Sequence, residues 1–507
     1  MSEQPDLAPP DPVPDLDWDP GRAAEFAGRA VGIWREYLER LPNLPVARRH
    51  TADEVRAAVA LDVPEDPMSD DELFAYLRAA LLEWSVYPGH PSFMAYVTGP
   101  GTLPGAAADL LAAGVNMNVG GWQLSPSATE IELQLIRWLA GAFGLPSQAG
   151  GLLVSGGAMA NFVALKAARD SKAGWDVRRQ GVGAGPALAM YMSAETHVVS
   201  QRAVDMLGLG WDAMRVVPVD DRFRIRVAAL HEAIAADRAA GVRPVAVVGS
   251  AGTVATGAID PLDELADLCA SEDVWFHVDA AYGGPAVLAE DLRPAFDGIE
   301  RADSIAFDPH KWLYTPHSGG CVLLRDPDLL RGSFDAEPSY IHQDKERTGA
   351  GVDLARIGPQ FSRSFWALKV WVSLLAHGRR AYAARISHDA QLARYLGARV
   401  LEREGFELVT PVSLSICCFR YVPPELAQDS GREEYLDALN ERIMTELQLD
   451  GRAYCSNAVL DGRFVLRACI VNFRTEAHHL DAMLDVASEL GDRLDAKMRP
   501  SSLGGDG

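Results

Sequence analysis

The chain has 507 residues, of which 48% are hydrophobic and 23% are charged, so it has enough apolar material for more than one globular core. Its formal charge is −23, because 70 acidic residues outnumber 47 Lys and Arg, and this excess opposes binding to nucleic acid or anionic membranes. No window approaches the roughly 18 uncharged apolar residues of a membrane span.

The cysteines and the N-terminus indicate the compartment. The six cysteines show no CxxC pair and no metal-ligand spacing, and most lie in apolar runs such as GGCVLLR. We therefore expect buried thiols in a reducing environment and no metal site. The N-terminus is acidic and Pro-rich, without the basic start and apolar stretch of a secretory signal. The sequence therefore predicts a cytoplasmic protein.

The first part of the chain has a helical pattern. Residues 1–20 offer little to bury and are expected to form a disordered acidic tail. Helical periodicity follows, with two capping boxes, Thr51-Ala-Asp-Glu54 and Ser69-Asp-Asp-Glu72, whose side chains can satisfy the free amides of a first turn. We predict a helical N-terminal segment over residues 21–100.

From about residue 130, helical segments alternate with short apolar runs. Continuous apolar runs between helices are typical of parallel strands that are covered on both faces. The predicted strands are GLLVS (151–155), ALAMYMSA (187–194), PVAVVGSA (244–251), VWFHVDAA (274–281), SIAF (304–307) and GGCVLLR (319–325). They predict a large α/β domain over residues 101–390 with a mostly parallel central sheet.

The C-terminal part mixes strands and helices in a different order. A long helical stretch near 364–400 comes first, and helices are predicted around 432–448 and from about residue 476. We predict a small C-terminal α+β domain over residues 391–495, followed by a mobile tail at 496–507.

Polar residues follow several predicted strands, at the sheet edge where ligands bind in open α/β sheets. The strand GLLVS runs into Gly156, Gly157 and Ala158, a turn that offers free helix amides to an anion such as phosphate, although an ordinary tight turn has the same pattern. Asp279 ends another apolar run, where a carboxylate either caps the next turn or faces a buried cation. The remaining residues at strand ends are His197, Asp308, His310 and Lys311.

Together these residues suit pyridoxal phosphate. This cofactor needs an anion cradle, a lysine for a Schiff base, a carboxylate that keeps its ring nitrogen protonated, and a flat group against its ring. The glycine turn, Lys311, Asp279 and His197 supply all four. Taken alone, Lys311 fits an ordinary surface lysine at a turn, so the cofactor is inferred from the combination.

The sequence resembles the group II pyridoxal-phosphate-dependent amino-acid decarboxylases, the family of aromatic-amino-acid and glutamate decarboxylases. The matching motifs are HPSFMAY (90–96), SPSATEIE (125–132), GGAMAN (156–161), THVVSQRA (196–203), GTVATGAIDP (252–261), HVDAAYGG (277–284), DPHKW (308–312) and FVLRACIVNFRT (464–475). The resemblance implies the aspartate-aminotransferase type of fold, fold type I. It also implies an obligate homodimer whose N-terminal helices contact the partner.

The resemblance further implies roles for individual residues. Lys311 would form the cofactor aldimine, Asp279 would pair with the pyridine nitrogen, and His197 would stack on the ring. The other implied cofactor contacts are Ala281 on the second ring face, Thr253 near the ring hydroxyl, and Gly157, Ala158 and His310 at the phosphate. Asp308 stands where asparagine is frequent in the family, so its part in phosphate binding is left open.

The substrate pocket is less well defined. Tyr96 lies in one segment that matches the pocket lining, and Trp122 lies in another that is expected from the second subunit. Arg467 matches a residue that meets the substrate carboxylate in some members, although a structural salt bridge between domains also explains it. Gly120 falls where the aromatic decarboxylases carry a bulky apolar residue, which predicts a roomier or more polar pocket.

Residues 339–371 have the glycine, charge and polar content of a mobile loop over the site. In the family this loop carries a tyrosine that returns a proton to the quinonoid carbon. The matching residue here is Leu354, which has no proton to give. Tyr340 and His342 are candidates to replace it, and each also fits an ordinary loop position.

We therefore predict decarboxylation of an L-amino acid to the amine and carbon dioxide by a cytoplasmic, pyridoxal-phosphate-dependent homodimer. The alternative on the same scaffold is a decarboxylation-dependent oxidative deaminase (aldehyde synthase), suggested by Leu354. A third possibility is a lyase or aminotransferase that leaves the carboxylate in place, and a test for carbon dioxide release distinguishes it from the first two. A binding protein without activity is distinguished by the visible band of the bound cofactor.

Overall fold

The computed structural model describes residues 16–336, 351–427, 431–501 and 503. The chain divides into two compact units, the first ending at Val86 and the second beginning at Tyr87. Among the described helices, none combines the length and the apolar character that a membrane crossing needs.

The first unit is helical. Its helices are α1 (Pro20–Arg40), α2 (Ala52–Ala58) and α3 (Asp70–Leu82). Both predicted capping boxes are present. The Thr51 hydroxyl accepts a hydrogen bond from the Glu54 amide, and the Glu54 carboxylate accepts one from the Thr51 amide. Ser69 and Glu72 make the same two hydrogen bonds at the start of α3. Short-range cap chemistry was therefore sufficient to locate the starts of α2 and α3.

The second unit contains twelve described strands and eleven described helices. The strands are β1 (Phe93–Met94), β2 (Gly150–Val154), β3 (Leu188–Ser193), β4 (Met214–Val217), β5 (Arg243–Ser250), β6 (Trp275–Asp279), β7 (Ser304–Phe307), β8 (Gly320–Leu324), β9 (Phe406–Leu408), β10 (Ile416–Tyr421), β11 (Tyr454–Leu460) and β12 (Arg463–Cys469). The helices are α4 (Leu103–Val115), α5 (Pro126–Phe143), α6 (Gly157–Lys172), α7 (Val177–Gln180), α8 (Val198–Met206), α9 (Val227–Ala239), α10 (Leu262–Glu272), α11 (Asp328–Phe334), α12 (Trp366–Glu402), α13 (Glu433–Asp450) and α14 (Ala477–Met498).

The central sheet has seven strands in the order β2-β8-β7-β6-β5-β3-β4. All neighbours pair in parallel except β8, which is antiparallel to both β2 and β7. Every residue of β3, β6, β7 and β8 is buried, as expected for strands covered on both faces. The predicted mostly parallel α/β sheet is confirmed, and all six predicted strands are present.

The strand β4 was not predicted. It lies at the edge of the central sheet beside β3, and three of its four residues are partly or fully exposed. A strand exposed in this way lacks the continuous apolar run that revealed its neighbours.

A second sheet of five strands forms the smaller α+β part, in the order β1-β11-β12-β10-β9. Its strand β1 pairs in parallel with β11, with Phe93 opposite Tyr454, so residues before the central sheet complete this sheet. Helices α13 and α14 pack on it around a separate apolar core. All six cysteines are buried and free, as predicted.

Candidate active site

The predicted site residues meet in a cavity of about 530 Å³ at the carboxyl ends of the central strands. All nine residues predicted to contact the cofactor line this cavity: Gly157, Ala158, His197, Thr253, Asp279, Ala281, Asp308, His310 and Lys311. They come from four strand ends and from the start of α6, which explains how residues 154 positions apart become neighbours.

Lys311 lies in the turn that follows β7. Its Nζ is 3.0 Å from Oδ2 of Asp308, and the side chains of Lys311 and Asp308 are 22% and 3% exposed. The other carboxylate oxygen, Oδ1 of Asp308, is buried and has no hydrogen-bond partner. The lysine is thus held inside the cavity by a buried carboxylate, and the reading of a surface lysine is wrong.

The start of α6 forms the anion cradle. The amides of its first turn have no partner within the helix, and Gly157 and Ala158 of this turn line the cavity. A Cβ on Gly157 would lie 2.5 Å from Oδ2 of Asp308. Only glycine therefore lets the turn approach the Asp308 carboxylate so closely.

Asp279 ends β6 and is 7% exposed. Its Oδ1 accepts a hydrogen bond from the Ala281 amide at 3.0 Å. Two residues earlier on the same strand, His277 bonds Ser304 Oγ through Nδ1 at 2.8 Å and Asn161 Oδ1 through Nε2 at 2.9 Å. Burial lowers the pKa of His277 to about 4, so this imidazole stays neutral behind the Asp279 carboxylate.

His197 caps the start of α8 from inside the cavity. Its Nδ1 accepts a hydrogen bond from the Val199 amide at 3.2 Å, so the neutral ring carries its proton on Nε2. Burial lowers the pKa of His197, although the charge of Asp279 opposes that shift. The cavity thus contains a flat, uncharged ring on the side of the α8 N-terminus.

His310 is held by the turn that follows Lys311. Its Nδ1 donates to the Gly319 carbonyl at 2.6 Å, and burial lowers its pKa. The ring of His317 lies against it, with the two ring centroids 4.5 Å apart, and also lines the cavity. Reasoning from the sequence missed His317, although it lies only six residues beyond Lys311.

Arg467 reaches the cavity from β12. Its Nε donates to the Ala255 carbonyl at 3.1 Å, and its Nη1 donates to the Tyr96 carbonyl at 2.9 Å and to Ser456 Oγ at 3.2 Å. Its Nη2 is buried without a hydrogen-bond partner. The described hydrogen-bond partners of the guanidinium are two backbone carbonyls and a hydroxyl and include no carboxylate, so the reading of a salt bridge between domains has no support.

Three further predictions concern residues beside the cavity. Tyr96 lines it, whereas Trp122 lies outside it in a short helical turn and donates from Nε1 to Glu130 at 2.9 Å. A Cβ on Gly120 would lie 2.1 Å from the Phe361 carbonyl oxygen. A bulky residue at 120 therefore does not fit this backbone, and the contribution of Trp122 from a second subunit stays a prediction.

The loop residues fall in two groups. Leu354 is fully buried in a short helical turn at Leu354–Arg356, packed into the main core. The amide of the next residue, Ala355, donates to the Gly120 carbonyl at 2.9 Å. Tyr340 and His342 lie outside the described residues.

The residues present fit pyridoxal phosphate. The first turn of α6 begins at Gly157 and lines the cavity beside Lys311, and its amides, which have no partner within the helix, are available to a phosphate. Two buried polar atoms, Asp308 Oδ1 and Arg467 Nη2, have no hydrogen-bond partner, and both belong to residues that line the same cavity as Lys311. Charged residues with unpartnered polar groups around one cavity, together with Lys311 and Asp279, indicate a polar ligand with several charged groups.

Comparison with known proteins agrees with this chemistry. The model of the pyridoxal-dependent decarboxylase conserved domain matches residues 53–422. Aromatic-L-amino-acid decarboxylase of Bacillus atrophaeus is 36% identical over 452 residues, covering 89% of this chain and 92% of that protein. Phenylacetaldehyde synthase of Arabidopsis thaliana is 29% identical over 482 residues, covering 93% and 96%.

A solved structure shows the same fold. The crystal structure of Oryza sativa TDC with PLP and tryptamine matches with a TM-score of 0.88 at 29% identity, covering 95% of this chain and 100% of that one. The predicted fold type I, the pyridoxal phosphate cofactor and the decarboxylase activity are thereby confirmed. The chain belongs to the pyridoxal-dependent decarboxylases and is an amino-acid carboxy-lyase.

Proposed function

We propose that the enzyme decarboxylates an aromatic L-amino acid and that Lys311 is the residue that holds the cofactor. The single observation that carries this proposal is the convergence of Lys311, Asp279 and His197 on one cavity beside the first turn of α6. The aromatic substrate is supported by the relatives, which include an aromatic-L-amino-acid decarboxylase and a structure with tryptamine.

Each of the three residues has a task that follows from its surroundings. When bound, pyridoxal phosphate supplies an electron sink for the electrons left on the substrate α-carbon as carbon dioxide departs. Asp279, fixed by the Ala281 amide, holds a proton at the ring nitrogen. His197 would contact the ring with its neutral imidazole, and Ala281 would be the contact on the second ring face.

The phosphate contacts are assigned to the start of α6. The amides of Gly157 and Ala158 provide hydrogen-bond donors in the first turn, where the helix dipole also favours an anion. His310 lies beside them, and Thr253 lines the cavity near the proposed position of the ring hydroxyl. These residues would hold the phosphate end of the cofactor in the cavity that Lys311 also lines.

The substrate carboxylate is assigned to Arg467. Three hydrogen bonds fix its guanidinium, and the remaining Nη2 is a preorganised donor for an anion. Tyr96, together with Trp122 from the second subunit, is assigned to the substrate side chain. A hydrogen bond from Arg467 Nη2 to the substrate carboxylate would orient the bond between the α-carbon and the carboxylate, which is the bond that breaks.

Two residues are candidates for returning a proton to the substrate carbon after carbon dioxide leaves. Leu354, fully buried, has no proton to give to the substrate carbon, and Tyr340 and His342 are the proposed replacements for the family tyrosine. An aldehyde synthase is the second candidate function, because the position of Leu354 lacks an acid and a phenylacetaldehyde synthase is among the relatives.

We further propose a cytoplasmic homodimer. The N-terminal segment 21–100 is assigned to dimer contacts, residues 101–390 to the large domain and 391–495 to the small domain. The dimer is supported by α4, where Leu110, Leu111 and Val115 are 53%, 62% and 63% exposed in the single chain.

The test is a product assay with the purified holoenzyme over the common L-amino acids, following carbon dioxide, amine, aldehyde and peroxide together. We expect amine and carbon dioxide in equal amounts, with aromatic substrates turned over fastest. Peroxide and aldehyde in stoichiometric yield without amine would establish the second candidate. Turnover without carbon dioxide would contradict both.

A further inference from the structure

Asp308 places a carboxylate inside the anion cradle. The residue is 2% exposed, and its Oδ2 lies where a Cβ on Gly157 would almost touch it. The same carboxylate therefore borders both Lys311 and the first turn of α6. An anion beside a phosphate-binding turn is unfavourable, because two like charges in a buried site repel each other.

One cation balances this carboxylate in the structure. Lys311 Nζ is 3.0 Å from Oδ2, and among the described residues it is the only lysine or arginine within ion-pair distance of Asp308. Lys369, behind His317, is paired with Asp109 at 3.0 Å instead. The Lys311 amine is therefore the one described Lys or Arg partner of the Asp308 carboxylate.

The other titratable groups facing Asp308 do not supply a second cation. His310 Nε2 lies 3.9 Å from Oδ2, and burial lowers the pKa of this histidine. Burial also lowers the pKa of His197 and of His317, and it raises the pKa of the Cys321 thiol. All four groups are thus neutral near pH 7, and none compensates a second negative charge.

Cofactor binding changes this balance. The inference rests on the proposed function, in which the Lys311 nitrogen engages the cofactor and the phosphate contacts the Gly157 and Ala158 amides. The Lys311 amine would then no longer be reserved for Asp308, and a phosphate held by the first turn of α6 would add negative charge near the Asp308 carboxylate. The Asp308 carboxylate and the phosphate would then be two neighbouring buried anions that share one cation, Lys311. Uptake of a proton by one of them reduces their repulsion.

We propose that Asp308 is protonated at Oδ1 when phosphate occupies the first turn of α6, so that each bound cofactor takes up one proton there. Oδ1 is the atom without a partner, and once protonated it donates to a phosphate oxygen. An asparagine at this position would offer a permanent N–H donor without proton uptake. Asp308 therefore makes cofactor affinity depend on pH.

The experiment measures the dissociation constant of pyridoxal phosphate for the apoprotein between pH 7 and 9, for the wild type and for Asp308→Asn. The phosphate group is a dianion throughout this range, because its second pKa is about 6. For the wild type we expect the dissociation constant to rise about tenfold more per pH unit than for Asp308→Asn, which corresponds to one proton. Pyridoxal, which lacks phosphate, should give parallel profiles for both proteins.

Parallel profiles with pyridoxal phosphate would overturn the proposal, and they are also the result expected if His310 took up the proton. If Asp308→Asn fails to fold, proton uptake by the wild type in an unbuffered titration decides the question. One proton more for pyridoxal phosphate than for pyridoxal supports the proposal, and equal uptake overturns it. If pyridoxal phosphate bound no more tightly than pyridoxal, the phosphate site of the proposed function would fail as well.

Discussion

Arg467 donates a hydrogen bond from Nη1 to the backbone carbonyl of Tyr96 at 2.9 Å, across the cavity wall between β12 and the segment after β1. This bond and those to Ala255 and Ser456 turn the guanidinium so that Nη2 is left buried and unpartnered. A charged donor fixed in this way contributes binding energy to an incoming anion without further ordering of its side chain.

Replacing Arg467 by Met should lower kcat/KM by about 10- to 100-fold, because a hydrogen bond to a charged group contributes about 1.5–3 kcal/mol. The amine product lacks the carboxylate, so its inhibition constant should change much less. Steady-state kinetics with the amine as inhibitor makes the comparison. Arg463→Met, on the same strand, is the matched control and should behave as the wild type. Equal losses for substrate and amine would count against the assignment of Nη2.

Gly157→Ala should weaken pyridoxal phosphate binding by about tenfold or more. The new Cβ would lie 2.5 Å from Asp308 Oδ2, and overpacking of this kind costs about 1–3 kcal/mol. The dissociation constant is read from the absorbance of the bound cofactor. Gly141→Ala in α5 is the control, since nothing lies within 4 Å of its Cβ. Unchanged affinity in Gly157→Ala would place the phosphate elsewhere.

Acid should destabilise the fold in part through His277. Its pKa in the folded state is about 4, against an ordinary value of 6.5, because the ring is buried. Between pH 6.5 and 4 the His277 imidazole is protonated in the unfolded chain but stays neutral in the folded chain. The free energy of unfolding therefore decreases as the pH falls from 6.5 towards 4. The slope is up to about 1.4 kcal/mol per pH unit for this residue.

His277→Gln removes this titration, so its denaturant midpoint should fall less steeply than that of the wild type between pH 6.5 and 4. His197, His310 and His317 also have pKa values lowered by burial, so the variant should retain part of the slope. Identical slopes for the two proteins would refute the role given to His277.

Arg363→Met should lower the free energy of unfolding by about 3–5 kcal/mol, because it leaves Glu132 as an uncompensated buried charge. The Arg363 and Glu132 side chains are 1% and 0% exposed, with Nη2 and Oε1 2.6 Å apart. Arg179→Met breaks the exposed pair with Asp176, whose side chains are 88% and 50% exposed, and should cost no more than about 1 kcal/mol. Denaturant unfolding monitored by circular dichroism compares them, and similar losses would contradict the difference expected from burial.

The fold was largely predictable because its signals are local. Six strands of the central sheet are continuous apolar runs, and the two capping boxes lie within four residues each. The edge strand β4 and the pairing of Phe93 with Tyr454 were not predictable. The first has a mixed pattern of exposure, and the second joins residues 361 positions apart.

The site was predictable where strand ends carry polar residues, as at Asp279 and Lys311. The ion pair of Lys311 with Asp308 was not foreseen, because it depends on side-chain directions within a turn. The complete burial of Leu354 was equally hidden, since the polar residues around it resemble an exposed loop. Side-chain contacts and burial within turns therefore depend on tertiary packing, which the sequence pattern does not reveal.

The central claim is that Lys311 holds the cofactor, and borohydride reduction of the holoenzyme tests it most directly. Borohydride delivers a hydride to the carbon–nitrogen double bond between lysine and cofactor and converts it into a stable single bond, and mass spectrometry of the digested protein locates the added mass. We predict a single modified lysine at position 311 and no addition in Lys311→Ala. A cofactor mass on another lysine, such as Lys369, or no covalent adduct in a coloured holoenzyme would contradict the account.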